Sequence, residues 1–196
     1  MLPNALVYDI EIERGILDLH APPEPGIEYC AGWEDHVHMG VSVVGAYDYV
    51  EGRYRVFCKD NLPEFKKLCE ARALLVGFNT INFDNAVLRT VGVSIPEAKC
   101  YDLLREAWAA LGFGPKFDKS THAGYGLDAI SKSTLGVRKT GYGGHAPVAW
   151  QQGRIGEVID YCLNDVRLTV GLFDLVVAGK PLVNPKTGGE LTLRKP

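Results

Sequence analysis

Four acidic residues and one tyrosine stand where an ordinary soluble domain seldom places such groups. Asp9 and Glu11 alternate with apolar residues, so the two-residue period of a strand puts both carboxylates on one face. Asp165 lies on the apolar side of a long helical segment, with Tyr161 one turn before it. Charges in apolar surroundings are costly unless they are paired or liganded. Acids grouped in this way predict a site for a hard cation such as Mg²⁺ or Mn²⁺.

Each of these residues also has a simpler interpretation, which the residues alone leave open. Asp9 and Glu11 fit an edge strand with a solvated acidic face. Asp84 begins a predicted helix, where the helix dipole and capping both favour aspartate. Asp165 and Tyr161 fit a buried hydrogen-bonded pair, although such a pair does not explain why an ionised group faces the core.

The elements that would carry these residues form an α/β pattern. Strands are predicted at 6–12, 37–49, 53–58, 73–78 and 98–101, and the second and third form a hairpin. Helices are predicted at 61–72, 83–91, 102–111, 127–135 and 155–178. The first has an Asn61–Glu64 capping box, and Asp102 caps the third. Loops are predicted at 19–36, 112–126 and 137–147, and a small hairpin at 182–193. This order predicts one mixed sheet of about five strands flanked by helices, with an antiparallel hairpin beside parallel βαβ units.

Composition restricts the class of protein. The 196 residues are 46% hydrophobic and 23% charged, values typical of a soluble globular protein. Net charge is −3, with 15 acids and 9 bases in residues 1–100 and 9 acids and 12 bases in residues 101–196. A protein that coats nucleic acid non-specifically is usually strongly basic, so any contact with nucleic acid is expected to be local. The odd number of cysteines, five, predicts reduced thiols in a cytoplasmic protein, and no signal peptide or membrane segment is evident.

Three segments resemble the motifs of the DEDD 3′–5′ exonucleases, which belong to the ribonuclease H-like superfamily. They are VYDIEIE at 7–13, GFNTINFD at 77–84 and YCLND at 161–165. The third is especially similar to its counterpart in the proofreading domains of family B DNA polymerases, and LDAISKSTLG at 127–136 is similar to the helix that precedes it. The resemblance implies a ribonuclease H-like exonuclease domain over residues 1–180, followed by a C-terminal tail or hairpin over 181–196. It implies the tyrosine subclass, because Tyr161 stands four residues before Asp165 and Asp160 stands five before.

The resemblance also assigns roles to the acids and the tyrosine. It implies that Asp9 bridges two divalent ions, Mg²⁺ or Mn²⁺, that Glu11 and Asp165 hold the ion on the side of the attacking water, and that Asp84 acts on the second. Tyr161 would orient that water. The resemblance implies that Asn79 and Phe83 contact the terminal nucleotide beside Ile12, which stands where the family often has a small hydroxyl residue. Apart from the resemblance, Arg138 and Lys139 are predicted to contact phosphates, with a solvated basic loop as the alternative.

The predicted function is therefore metal-dependent removal of nucleotides from the 3′ end of nucleic acid, with DNA favoured. With no polymerase domain on the chain, the protein is expected to act alone or beside a polymerase or another replication or repair protein. Two other functions stay open: a catalytically silent nucleic-acid-binding or scaffold protein, and a structure-selective endonuclease on the same fold. A zinc site at Cys30, His36 and His38 is a weaker possibility. The three tryptophans are predicted to be packing residues.

Overall fold

The computed structural model describes residues 4–17, 22–141 and 143–196. Positions 19–21 and 142 of the predicted loops lie outside these residues. The strands are β1 (Ala5–Glu11), β2 (Gly15–Ile16), β3 (Tyr29–Cys30), β4 (Val43–Asp48), β5 (Arg53–Phe57), β6 (Leu74–Gly77), β7 (Cys100–Asp102), β8 (Leu182–Val183) and β9 (Glu190–Leu191). The helices are α1 (His36–Met39), α2 (Leu62–Ala71), α3 (Asp84–Thr90), α4 (Leu103–Ala110), α5 (Lys119–His122), α6 (Leu127–Leu135), α7 (Ala146–Gln151) and α8 (Ile155–Val177).

The central sheet has five strands in the order β5-β4-β1-β6-β7. Strand β1 pairs antiparallel with β4 and parallel with β6, and β6 pairs parallel with β7. This confirms the predicted mixed sheet, with its antiparallel hairpin beside parallel strands. The pairs β2–β3 and β8–β9 form two small additional sheets, and the second is the predicted C-terminal hairpin.

The two faces of β1 enter different cores. Leu6 and Tyr8 pack with residues of α2 and α3, whereas Ala5 and Val7 pack with residues of α4, α6 and α8. Because successive side chains alternate, Asp9 and Glu11 continue the face that α8 covers. The C-terminal hairpin contributes Leu182, Leu191 and Leu193 to this second core.

Several local predictions are wrong. Residues 36–39 form the short helix α1, so the predicted strand at 37–49 begins only at Val43. Asn61 does not cap α2 with its side chain; its Oδ1 accepts from the Cys58 N–H at 2.6 Å instead. The predicted loops at 112–126 and 137–147 contain α5 and the start of α7.

Helix α8 approaches the sheet closely at one glycine. A Cβ atom on Gly45 of β4 would lie 3.0 Å from Cys162 Sγ and 3.2 Å from Val166 Cγ2, both on α8. Gly45 pairs with Asp9 in the sheet register, so this close approach places α8 directly over the acidic end of β1.

Candidate metal centre

The first two acids lie at the end of β1 under α8. Glu11 is buried and Asp9 is partly exposed. The thiol of Cys162 donates to the Asp9 carbonyl oxygen at 3.4 Å and lies 3.8 Å from its Oδ2. Asp9, Glu11 and Cys162 each offer one ligand atom within 4.8 Å of the other two. The sequence therefore correctly placed the two acids on one face, while Cys162 beside them was not predicted.

The third acid reaches the same strand from α3. Asp84 is the first residue of that helix and is buried. Its Oδ1 accepts from the backbone N–H of Ile10, between Asp9 and Glu11, at 3.2 Å. Its carboxylate thus contacts the strand that carries the other two acids, beyond any role at the start of its own helix.

The fourth acid and the tyrosine come from α8. Asp165 is 2% exposed, which agrees with its predicted place on the packed side of the helix. Among the described residues, its Oδ1 and the Tyr161 hydroxyl are buried without a hydrogen-bond partner. A buried polar atom without a partner has lost its hydrogen bonds to water and gained none from the protein, so both atoms favour a bound ion or water.

The acids repel one another strongly. Burial raises the pKa of Asp9 well above its ordinary value, and repulsion from the other three acids adds to the shift. Burial also raises the pKa of Glu11, with Asp165 the strongest repelling charge, and raises the pKa of Asp84 to about 7. A cluster whose members resist ionisation is stabilised by a nearby cation.

Lys139 supplies one such cation. Its Nζ lies 2.5 Å from Asp165 Oδ2 and 5.1 Å from the centre of the Tyr161 ring. Burial disfavours the charged ammonium, but Asp165 and Asp9 outweigh that effect and raise the pKa of Lys139. The residue predicted to contact phosphate therefore has an ion-pair partner within the acidic cluster.

The segment before Asp84 is held by a buried acid of another strand. Asp102, at the end of β7, accepts from the N–H groups of Asn79 and Ile81 at 2.8 and 3.0 Å. It also accepts from Leu104 N at 3.0 Å, which confirms its predicted cap of α4. Asn79 has a φ of 66°, a left-handed conformation that asparagine adopts more readily than most residues. Asp102 thus fixes the turn that presents Asn79 and Phe83, a role the sequence did not reveal.

The remaining residues predicted to contact substrate differ in their exposure and their partners. Ile12 follows Glu11 and is buried. Arg138 is exposed and pairs with Asp128 at 2.9 Å, and Asp128 also accepts from the Lys139 N–H at 3.0 Å.

The zinc alternative finds no support among the described residues, where His38 pairs with Asp35 and Cys30 Sγ donates to the Gly15 carbonyl. All five cysteines are free.

The donor set fits a hard divalent cation. The carboxylates of Asp9 and Glu11 lie together without a histidine, and a carboxylate oxygen of Asp165 is buried without a partner. Oxygen ligands are those that Mg²⁺ and Mn²⁺ prefer. The softer Cys162 thiol is kept protonated, because burial and Asp9 raise its pKa well above the ordinary value. The acidic cluster is thus a candidate metal site built mainly from oxygen.

Comparison with known proteins defines the class of fold. No protein-family model matches the chain, and no curated protein matches it. Among solved structures it is similar to a family B DNA polymerase from the hyperthermophilic archaeon Pyrobaculum calidifontis, with 20% sequence identity and a TM-score of 0.55. The match covers 88% of this chain and 24% of the polymerase, so the chain spans about a quarter of that protein's length. The chain has a ribonuclease H-like α/β fold with a buried acidic cluster at one end of its central strand. None of the described helices is both long enough and apolar enough to span a membrane.

Proposed function

We propose that this protein is a metal-dependent 3′–5′ exonuclease of the tyrosine subclass, acting on phosphodiester bonds with DNA as the favoured substrate. The observation that carries the proposal is the convergence of Asp9, Glu11, Asp84 and Asp165 from one strand and two helices, with the Tyr161 hydroxyl beside them. Hydrolysis of a phosphodiester needs cations at the phosphoryl oxygens and a positioned water, and this set of residues suits both needs.

The four acids would hold two divalent ions, Mg²⁺ or Mn²⁺, with Asp9 shared between them. When bound, the ions would favour deprotonation of the attacking water and stabilise charge on the leaving oxygen. The protein's own contribution is to fix the acids in place. A hydrogen bond from the Ile10 N–H holds Asp84, and the packing of α8 on β1 holds Asp165.

Tyr161 would orient the water rather than take its proton. Burial raises the pKa of its hydroxyl, so the group stays protonated at neutral pH and can donate a hydrogen bond. From its position one turn before Asp165, that donor would reach the same side of α8 as the buried carboxylate oxygen that has no partner.

The substrate's 3′ end would lie along the segment held by Asp102. Asn79 and Phe83 would contact the terminal nucleotide beside Ile12, and Arg138 or Lys139 would approach its phosphate. The polymerase neighbour supports DNA as the substrate, and a polymerase or another replication or repair protein is the proposed partner.

The direct test uses an end-labelled single-stranded oligonucleotide with chelator, Mg²⁺ or Mn²⁺. We expect shortening only with metal, and none from Asp9→Ala or Asp165→Ala. Asp9→Ala should leave the melting temperature little changed, because removing an acid relieves repulsion, whereas Asp165→Ala should lower it, because Lys139 loses its ion-pair partner. Full activity in excess chelator, or a near-normal rate from either folded variant, would contradict the proposal. Cleavage of a circular single strand would instead indicate the endonuclease.

A silent nucleic-acid-binding protein is the second candidate, and the Lys139–Asp165 ion pair favours it. An ammonium 2.5 Å from Asp165 neutralises part of the cluster without any metal. Oligonucleotide binding with no metal-dependent turnover, in preparations whose metal binding is shown by calorimetry, would select this function over the exonuclease.

A further inference from the structure

A sulfur atom lies among the oxygen atoms of the acidic cluster. Cys162 Sγ is 3.8 Å from Asp9 Oδ2, and one ligand atom from each of Asp9, Glu11 and Cys162 lies within 4.8 Å of the other two. In the part of the chain that the structure describes, no other cysteine belongs to such a group. The proposed function uses only the oxygen atoms, so it assigns no role to this thiol.

The spacing of these atoms suits a small tetrahedral ion. Zinc binds thiolate sulfur at about 2.3 Å and carboxylate oxygen at about 2.0–2.2 Å. Two such ligands on one tetrahedral ion lie about 3.6 Å apart. The 3.8 Å between Cys162 Sγ and Asp9 Oδ2 is close to that separation, so one ion can contact both atoms after a small adjustment of the side chains.

A backbone donor supports the sulfur. The N–H of Gly45, which pairs with Asp9 in the sheet register, donates to Cys162 Sγ at 3.2 Å. An N–H donor stabilises negative charge on its acceptor, and hydrogen bonds of this kind orient the ligands of metal ions. Glycine permits the close approach, because a Cβ atom at this position would lie 3.0 Å from the same sulfur.

The cluster also offers an oxygen without a partner and a way in for an ion. Asp165 Oδ1 is buried and has no hydrogen-bond partner among the described residues. Asp165 is the acid whose charge acts most strongly on Glu11, so it faces the same cluster. Asp9 is partly exposed, whereas Cys162 is fully buried. An ion can therefore enter at Asp9 and reach the sulfur from the side of the acids.

We propose that Cys162 joins Asp9 and Glu11 as a ligand for thiophilic divalent ions, such as Zn²⁺ and Cd²⁺, and that such an ion inhibits the enzyme. The sulfur binds as thiolate, and the thiol proton passes to the buffer. Mg²⁺ and Mn²⁺ prefer oxygen, so they leave the sulfur unused. The inhibition rests on the proposed function, because a thiophilic ion would occupy two of the acids that hold the catalytic ions.

Ultraviolet absorption tests the sulfur ligand without any catalysis. A thiolate bound to Cd²⁺ gives a charge-transfer band that oxygen ligands do not give. Metal-free protein titrated with Cd²⁺ should develop this band until one ion is bound per chain. Cys162→Ala and Cys162→Ser should lose the band. Cys58→Ser is the matched control and should keep it, because Cys58 is a free, partly exposed cysteine that does not belong to the group.

Calorimetry measures the contribution of the sulfur to affinity. Cys162→Ala should bind Cd²⁺ roughly a hundred-fold more weakly, since even a change in a residue that supports a ligand typically costs ten- to a hundred-fold. Its affinity for Mn²⁺ should change little. Asp9→Ala alters no sulfur and should also lose the band, because the thiol then lacks its nearest oxygen partner. Melting curves establish that each variant is folded.

Two results would overturn the sulfur ligand. One is Cd²⁺ binding by wild type without the band; the other is an equal band from wild type and from the folded Cys162 or Asp9 variants. An ion held by oxygen alone, or by another cysteine, would give these results.

Inhibition is measured as the Zn²⁺ concentration that halves shortening of an oligonucleotide in Mg²⁺, with each variant compared with its own rate in Mg²⁺ alone. We expect this concentration to rise roughly a hundred-fold in Cys162→Ala and to stay unchanged in Cys58→Ser. An equal value for wild type and Cys162→Ala would contradict inhibition through the sulfur. Failure of the proposed function shows differently, as absence of shortening in Mg²⁺ by a protein that still gives the Cd²⁺ band.

Discussion

At the scale of the residue, removing the Tyr161 hydroxyl tests the orientation of the attacking water separately from the binding of metal. Tyr161→Phe removes only that hydroxyl and keeps the ring beside Lys139. We expect the cleavage rate to fall roughly ten- to a thousand-fold, about 1.4–4 kcal/mol of barrier, with metal affinity and stability little changed. Single-turnover cleavage of a short oligonucleotide measures the rate, and Asp9→Ala should be slower still. An unaffected Phe variant would show that another group orients the water, with His145 the first to test, and the tyrosine subclass would have to be abandoned.

The grouping of the acids was only partly predictable from periodicity, because Asp84 begins a helix, where aspartate is favoured anyway, and only its motif linked it to the other three. Period two put Asp9 and Glu11 on one face, and the helical period put Asp165 on the packed side. Cys162 and Asp102 were missed for a physical reason: a buried thiol resembles a small apolar residue, and a helix cap already accounted for the aspartate. The exposure of Trp33 depends on tertiary contacts that no local pattern records.

At the scale of the element, the separation of α8 from the sheet is set by Gly45. A methyl group there would meet Cys162 Sγ at 3.0 Å and Val166 Cγ2 at 3.2 Å, so these side chains of α8 must give way by a few tenths of an ångström. We expect Gly45→Ala to lower the free energy of unfolding by about 1–3 kcal/mol and to lower activity further, because α8 carries Asp165 and Tyr161. Urea unfolding and the cleavage assay measure the two effects. Gly156→Ala, in open space on the same helix, is the control and should be neutral or stabilising.

A second prediction at this scale concerns Asp102, which joins β7, α4 and the segment before α3. Asp102→Asn would present an amide donor to one of the backbone N–H groups that the carboxylate now accepts from. We expect a loss of about 1–3 kcal/mol in stability and weaker substrate affinity with metal affinity unchanged. Thermal unfolding and calorimetric titration with Mn²⁺ measure these quantities. Wild-type stability would mean that the segment does not depend on this carboxylate.

The elements themselves were largely predictable. The five sheet strands and the long helix α8 were predicted within a few residues at most boundaries, because continuous or regularly spaced apolar residues define them. The exception is 36–39, where alternation of apolar and polar residues resembles a strand but the chain makes one helical turn before Gly40, whose φ is 66°. Short helices such as α5 have too few residues to show any period.

At the scale of the whole molecule, the acidic cluster couples stability to pH and metal. In metal-free protein the folded state raises the pKa of Asp84 to about 7, above the ordinary value of 3.8. Between these two pH values the folded Asp84 carboxyl holds a proton that the unfolded chain has released. Stability must then fall as pH rises from about 4 to 7. We expect the melting temperature in chelator to fall over this window, less steeply for Asp84→Asn, and Mn²⁺ to restore stability more at pH 8 than at pH 5. Equal slopes for wild type and Asp84→Asn would contradict this account.

The measurement that tests the central claim most directly is a single-turnover time course on one single-stranded DNA oligonucleotide, labelled at its 5′ end in one sample and at its 3′ end in the other. With Mn²⁺, the 3′ label should appear in mononucleotide from the earliest time points, while the 5′ label passes through a ladder of successively shorter strands. Asp165→Ala should produce neither pattern. Fragments of intermediate length that carry the 3′ label, or release of the 5′ label first, would contradict a 3′–5′ exonuclease whose four acids and tyrosine form its active site.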